Sequence, residues 1–221
     1  MIFPELKNKK FGEIDLNLEA DLWLNKNRNK YPDILNPLID PIVCQEMVDE
    51  NHKRNNIDHS FGGWMENRNT FLKGTYLDEN EKYLHLGVDI IVPYKTSVAC
   101  DMPAEVIRID DDHPEDGGWG PRVIVRLRDV RTVLIYAHLN RDIFCGVGDI
   151  LRPGQVFAKI GRPPHNGGWL PHLHIQSVEP KYYESLLKTN IYDLDGYGLP
   201  SEKEALSEIF KDPMQFISLT S

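Results

Sequence analysis

The 221-residue sequence contains no apolar run close to the about 20 residues that a membrane-spanning helix requires. Its first residues also lack a basic stretch followed by an apolar stretch, which is the order typical of a secretory signal. These two absences predict a cytoplasmic protein with no membrane partner.

Cysteine is scarce, with Cys44, Cys100 and Cys145 far apart in the sequence. An odd number at wide spacing does not form a disulfide framework, and no C-x-x-C pair is present to hold a metal. We interpret all three as reduced thiols, which agrees with a reducing compartment.

An excess of positive charge is also absent, because the formal net charge is -9 at pH 7. Nucleic-acid-binding domains usually carry a basic surface, so we expect no nucleic-acid partner. The composition of 41% apolar and 27% charged residues is typical of a globular protein. The length suits one domain with extensions.

The middle of the chain has the pattern of short strands separated by turns. In "PRVIVRLR", Val123, Val125 and Leu127 share one face, while Arg122 and Ile124 lie on the other, which predicts a half-buried strand. An antiparallel β core follows from seven such segments. They are residues 88–93, 96–100, 104–110, 121–128, 132–139, 155–161 and 172–178.

Both ends differ from this core. In the polar N-terminal region, one helix is predicted, with Asp40 as its N-cap and Pro41 in its first turn, and the rest is expected to be extended chain. Near the C-terminus, Ser201 and Glu204 predict a capping box for a helix over 200–212. We therefore divide the chain into an N-terminal, partly helical arm (1–70), a core (71–180) and a C-terminal helical extension (181–221).

Two short segments carry candidate metal ligands. In "PHLHIQ" (171–176), His172 and His174 project to the same face of a strand, about 7 Å apart. In "HLGVD" (85–89), Gly87 permits a bend that turns His85 and Asp89 toward one point. Imidazole and carboxylate groups are zinc ligands, and a second imidazole beside the metal can act as an acid or base.

These segments together resemble the M23 family of zinc metallopeptidases, of the lysostaphin and LytM type. The family's H-x-G-x-D, Y-x-H-L and H-x-H motifs occur in order as "HLGVD", "YAHL" (136–139) and "HLH" (172–174). The stretch "GDILRPGQVFAKIG" (148–161) resembles the strand and turn that the family places between the last two motifs. The combination is specific and spans about residues 80 to 178.

The resemblance implies one zinc ion per chain, bound by His85, Asp89 and His174, with His138 and His172 as catalytic residues beside the attacking water. It implies a mostly β fold with peripheral helices, in which an antiparallel sheet forms a groove of the LytM, duplicated-hybrid-motif type. It also implies a metallopeptidase, with a peptidoglycan fragment or a glycine-containing peptide as substrate. No H-E-x-x-H helix is present, so a glutamate base is not expected.

Departures from the family pattern leave other functions open. The "NGGWLPHLH" form (166–174) resembles M23-like domains attached to certain aminotransferase-class enzymes. Lys95 and Ala104 stand where the family has glycine, which alters the expected groove walls. A second hypothesis is therefore an intracellular zinc amidohydrolase of a small metabolite. A third is a non-catalytic M23-like binding or regulatory module, against which the retention of all three ligands argues.

The stretch "FGGWMENRNTF" (61–71) has two interpretations. It can be a glycine turn that docks an aromatic residue. Alternatively, by resemblance to latent family members, Asn67 or Asn69 occupies the open zinc position, and Glu66 and Arg68 line the cleft. Under the second interpretation, removal of residues 1–70 raises activity.

Overall fold

The largest unit of the fold is an eight-stranded sheet, called the main sheet below. The computed structural model describes residues 1–112, 118–188 and 194–219. The strands are β1 (Phe11–Glu13), β2 (His59–Gly62), β3 (Leu84–His85), β4 (Val88–Ile91), β5 (Ser97–Ala99), β6 (Ala104–Asp111), β7 (Pro121–Leu127), β8 (Val133–Ala137), β9 (Ile150–Leu151), β10 (Val156–Lys159), β11 (Leu173–Val178) and β12 (Tyr197–Gly198).

The strand order in the main sheet is β1-β2-β4-β11-β8-β7-β6-β9, and β5 pairs with β10 and β3 with β12 in two small sheets. Every pairing is antiparallel except that of β1 with β2. All seven predicted segments contain a strand, which confirms the mostly β fold. The strands that were not predicted are two to four residues long, too short to show an alternating pattern.

The main sheet is buried on both faces. One face packs against the β5–β10 sheet through residues such as Ile90, Val125 and Phe157. On the other face, Ile124 packs in a cluster with Phe210 from the C-terminal region. The prediction of a half-buried β7 is therefore wrong, because the C-terminal segment covers the face that was expected to meet solvent.

The described residues form four α-helices, which lie toward the two ends of the chain. They are α1 (Leu16–Asn27), α2 (Pro41–Asn55), α3 (Pro180–Lys188) and α4 (Lys203–Ile209). Helix α2 is confirmed, and Asp40 caps it by accepting hydrogen bonds from the backbone N–H groups of Ile42 and Val43. None of the helices within the described ranges has the length and apolar character that crossing a bilayer demands.

Two expectations about the ends are wrong. The N-terminal region is not one helix with extended chain, because α1 is a second helix and β2 is a full neighbour of β4 in the main sheet. The capping box is not formed, because Ser201 lies within a 3-10 turn (Pro200–Glu202) and α4 begins at Lys203 without a side-chain cap. The three cysteines are free thiols, as expected.

Candidate metal centre

Strand register brings three of the predicted site residues to one face of the main sheet. Asp89 on β4 lies directly opposite His174 on β11, and His174 also lies opposite Ala137 on β8. Residues directly opposite in antiparallel strands project to the same face. His172 lies two residues before His174 and shares that face, as period 2 predicts.

His85 reaches the same point from β3, outside the main sheet. Gly87 connects β3 to β4, and a Cβ atom at this position would lie 2.6 Å from His174 Nε2 and 2.6 Å from the carbonyl oxygen of Ile175. The glycine is therefore required for the close approach of β11, because any side chain here would displace His174.

The site is a compact buried cluster of His85, Asp89 and His174. His85 Nε2 lies 3.0 Å from His174 Nδ1, and Asp89 Oδ1 lies 3.0 Å from His174 Nδ1 and 3.5 Å from His85 Nε2. His172 Nε2 lies 3.4 Å from Asp89 Oδ1, and the rings of His138 and His172 are 4.5 Å apart. The structure thus brings together all five residues predicted to bind metal or act in catalysis.

Hydrogen bonds on the outer side of the rings define which nitrogen of each histidine faces the cluster. Because a carbonyl oxygen only accepts, each Nδ1 that contacts one must carry the proton, which leaves a lone pair on Nε2 facing inward. These contacts join Nδ1 of His85, His138 and His172 to the carbonyl oxygens of Gly63 (2.9 Å), Asn166 (2.8 Å) and Leu170 (2.8 Å), respectively.

His174 has the opposite tautomer. Nε2 of His174 lies 3.1 Å from Gln176 Oε1. The Gln176 amide is oriented because its own Nε2 donates a hydrogen bond to the carbonyl oxygen of Asp195. Nε2 of His174 therefore donates, and Nδ1 presents its lone pair inward. The inward lone pairs of His85 and His174 then face each other across 3.0 Å, a repulsion that a shared cation relieves.

The donor set of two imidazole nitrogens and one carboxylate oxygen suits zinc, which binds three protein ligands in catalytic sites and keeps one position open. Burial, together with the positive charge of Arg68, lowers the pKa of His85 well below its usual value, so its ring is neutral at pH 7. Burial alone would raise the pKa of Asp89, but His85 and Arg68 outweigh it and hold that pKa well below its usual range. His85 and Asp89 are therefore in the protonation states that metal binding requires.

Arg68 is fully buried against the cluster. Its Nη1 donates to Asp89 Oδ2 at 2.6 Å and to the Tyr197 hydroxyl at 3.2 Å, while its Nε donates to Glu66 Oε1 at 2.9 Å. This leaves Asp89 Oδ1 as the oxygen that faces the histidines. Arg68 thus orients one candidate ligand and balances its charge.

The two asparagines proposed for latency lie elsewhere. Asn67 and Asn69 are exposed, and Asn69 Oδ1 accepts a hydrogen bond from Asn17 Nδ2 at 3.2 Å. Of the four residues predicted for latency or the cleft, Arg68 is the one whose side chain donates a hydrogen bond to a candidate ligand.

His138 has an unusual backbone conformation. Its φ of 60° lies in the left-handed region, which non-glycine residues seldom adopt. Its N–H donates to the carbonyl oxygen of Trp119 at 2.9 Å, and its own carbonyl oxygen accepts from Gly161 N–H at 2.9 Å. These bonds hold the strained backbone in place, and retained strain of this kind is concentrated at functional sites.

A cavity of about 220 Å³, called the site cavity below, opens beside the cluster. Asp89, His138, His172 and His174 line it on the side of the cluster, and the rest of its lining combines apolar and aromatic side chains with the polar side chains of Arg68, Asn80, Lys82 and Asp195. The apolar and aromatic wall residues come from three parts of the chain: Leu16, Leu38, Phe71, Tyr76 and Leu77 from the N-terminal side, Ile91, Trp119, Trp169 and Leu170 from the core, and Tyr197 from the C-terminal segment.

Several residues around the cluster were not predicted. Gln176 continues the alternation of His172 and His174, so the period-2 pattern was sufficient to place it beside them. Trp119 and Tyr197 contact the rings of His174 and His85, with centroid distances of 5.2 Å and 5.0 Å. No local pattern marks these two aromatic residues, because the segments that carry them reach the site only in the folded chain.

The fold and the cluster define a mostly β protein with a candidate metal centre on the face of its main sheet. Residues 83–184 match the model of Peptidase family M23. This match confirms the resemblance to peptidase family M23 that the sequence motifs predicted.

Several solved structures resemble this chain. The catalytic domain of the antimicrobial peptidase lysostaphin from Staphylococcus simulans matches with a TM-score of 0.46 and 20% identity, over 73% of this chain and 92% of that one. LytU matches with a TM-score of 0.41 and 20% identity, over 60% and 72% of the two chains. A zinc-containing peptidase from Vibrio cholerae matches with a TM-score of 0.37 and 24% identity, over 44% and 28%. No curated protein sequence matches this chain.

Proposed function

We propose that the protein is a zinc-dependent peptidase that hydrolyses a peptide bond, with peptidoglycan-like or glycine-containing peptides as its substrates. The observation that supports this proposal most directly is that the inward nitrogens of His85 and His174 meet beside Asp89 Oδ1. These three residues lie within the segment that matches a peptidase family. In this proposal His85, Asp89 and His174 hold one zinc ion. When bound, zinc supplies a Lewis acid that polarises a carbonyl group and acidifies water.

His138 is suited to the role of general base. Burial, with the nearby rings of His172 and His174, lowers its pKa well below the usual value, so the ring is neutral at pH 7. Its Nδ1–H is held by the carbonyl oxygen of Asn166, which leaves Nε2 free to accept a proton from the attacking water.

His172 is suited to the complementary role. Its Nδ1–H is held by the carbonyl oxygen of Leu170, and its Nε2 faces Asp89. From this position His172 can donate to the leaving amine or to the developing oxyanion.

The site cavity favours a second candidate, the hydrolysis of a small amide. Its walls include residues outside the matched domain, such as Phe71 and Tyr197, which narrow the space beside the cluster to about 220 Å³. A small amide can lie entirely inside this cavity, whereas most of a long peptide must lie outside it. Assays on both substrate types, described below, separate the two functions.

The first test is the metal content of the purified protein. We expect about one zinc per chain in the wild type, because catalytic zinc sites take three protein ligands, and we expect its loss in His174→Ala. His165→Ala is the matched control, because His165 is exposed. Absence of zinc from a folded wild type after zinc addition contradicts the proposed metal site.

The second test is hydrolysis by the zinc-loaded protein of peptidoglycan peptides, oligoglycine and a panel of small amides. Products are identified by mass spectrometry. Cleavage of the peptides that is lost in His138→Ala, with zinc still bound, supports the proposed peptidase. Cleavage confined to small amides replaces it with the second candidate.

A further inference from the structure

The walls of the site cavity indicate what kind of residue lies beside the scissile bond. Resting on the proposed function, we infer that the site cavity is a subsite for a large neutral apolar side chain, above all an aromatic one, on one side of the scissile bond, while the glycine of the proposed substrates lies on the other side. The flanking segments of the chain supply part of this subsite, since Phe71, Tyr76, Leu77 and Tyr197 lie outside the matched residues 83–184.

The size of the cavity fits one aromatic side chain. A cavity of about 150 Å³ lined by leucine, isoleucine and phenylalanine side chains accepts a benzene ring, and the site cavity has about 220 Å³. A glycine would leave this volume to water beside apolar walls, which forgoes the burial of apolar surface.

The charges along the cavity favour a neutral occupant. Arg68 is paired with Asp89 and with Glu66, and Lys82 at the rim is paired with Asp195. A charged side chain entering the cavity would lose its hydration without gaining an opposite charge that is not already paired. An apolar side chain has no such cost.

The aromatic walls and the cluster belong to one continuous space. The same cavity is lined by His138, His172 and His174 and by the rings of Trp119 and Trp169. The Trp119 ring lies 5.2 Å from the His174 ring, and the Trp169 ring lies 6.3 Å from the His138 ring. A side chain between these walls therefore places its own backbone beside the candidate catalytic residues.

Binding can be measured without catalysis through the indole N–H signals of the four tryptophans in an NMR titration. N-acetylphenylalaninamide, N-acetylglycinamide and N-acetyllysinamide are added separately to the zinc-loaded protein. We expect the phenylalanine derivative to shift the Trp119 and Trp169 signals and to bind at least about tenfold more tightly than the other two. Trp23 and Trp64, which do not line the cavity, are internal controls.

A substitution tests the wall directly. Tyr76→Ala removes a wall residue that is 46% exposed and is expected to fold normally. It should weaken binding of the phenylalanine derivative by about threefold to tenfold. Phe144→Ala, which removes a similarly exposed ring away from the cavity, should leave binding unchanged.

Peptide cleavage then separates this inference from the proposed function. Blocked peptides that differ only in phenylalanine, glycine or lysine at one central position are compared by kcat/KM. Equal binding of the three amides, or equal cleavage of the three peptides, overturns the subsite while the peptidase function stands. Selective binding of the phenylalanine derivative without cleavage of any peptide supports the subsite and overturns the peptidase function.

Discussion

At the residue scale, the cluster depends on groups that hold its ligands from behind. Gly63 and Gln176 accept hydrogen bonds from His85 and His174, and Arg68 donates to Asp89. Outer contacts of this kind select the tautomer and orientation of a ligand and raise its affinity for metal. Arg68 differs from the other two because it is a fully buried cation, and its burial requires the anions with which it is paired.

Arg68→Met should weaken zinc binding by about tenfold to 100-fold, as loss of an outer-shell partner typically does. The reason is that Asp89 loses both its orientation and its neutralising charge. Zinc affinity is measured by competition with a chromogenic chelator. Arg152→Met, at an exposed position, is the control.

Because Arg68→Met leaves Glu66 and Asp89 buried without their cation, folding must be checked by circular dichroism. The double variant Glu66→Gln with Arg68→Met removes one of those anions, and Arg68→Lys restores the charge. Wild-type zinc affinity in a folded Arg68→Met protein contradicts the positioning role.

Gly87→Ala should abolish stoichiometric zinc binding, because the new methyl group would collide with His174 and with the backbone of β11. Zinc per chain after gel filtration is the measurement. Gly146→Ala is a matched control, because the nearest atom to its Cβ would lie 3.8 Å away. Full zinc content in Gly87→Ala means that β11 can move aside.

At the element scale, the N-terminal segment completes the sheet that carries the site. Strand β2 pairs with β4, and Gly62 lies directly opposite Asp89. Beyond β2, His85 donates its backbone N–H to the carbonyl oxygen of Glu66 and accepts at its own carbonyl from Met65 N–H, both at 2.9 Å. Residues 59–68 therefore act as a support for two of the three candidate ligands.

Removal of residues 1–70 should lower zinc binding and activity, instead of raising activity as the latency interpretation predicts. The truncation exposes the edge of β4 and removes the contacts of Gly63 and Arg68 with the ligands. Zinc content and peptide hydrolysis of the truncated and full-length proteins are compared. A folded, zinc-loaded truncation with higher activity supports a lid.

The same question can be asked without truncation. A protease site inserted near Asn29, where the chain is exposed between α1 and α2, allows the chain to be cut after it has folded. We expect the cut protein to keep both fragments together and to keep its activity, because β1 and α1 pack into the sheet and the N-terminal core.

At the scale of the whole molecule, buried histidines make stability depend on pH. Burial lowers the pKa values of His52, His59, His85 and His138 in the folded protein. In the unfolded chain the pKa of histidine is about 6.5, so the unfolded state binds more protons than the folded state as pH falls. The free energy of unfolding of the metal-free protein is therefore highest above about pH 6.5 and decreases below it.

This prediction is checked by urea unfolding of the metal-free protein at pH 7.5 and pH 5.5. We expect a lower midpoint at pH 5.5 with an unchanged m-value. His52→Gln, which removes one half-buried imidazole away from the cluster, should reduce the difference. Equal midpoints at the two pH values contradict the lowered pKa values, because the folded and unfolded states would then bind the same number of protons.

The sequence by itself determined the strands of the core and the order of the candidate ligands. Alternation with period 2 is a local property of the backbone, so it places His172 and His174 on one face and marks each long strand. The short spacing of His85 and Asp89 likewise keeps them near each other, whatever the rest of the chain does.

Only the tertiary structure decided what surrounds these ligands. Arg68 contacts Asp89, 21 residues away, and Tyr197, 129 residues away. The acceptor of His85 is a backbone carbonyl, which every residue possesses, so no side-chain pattern could reveal it. The burial of β7 on both faces and the aromatic walls of the site cavity arise in the same way, because packing between distant segments has no local period.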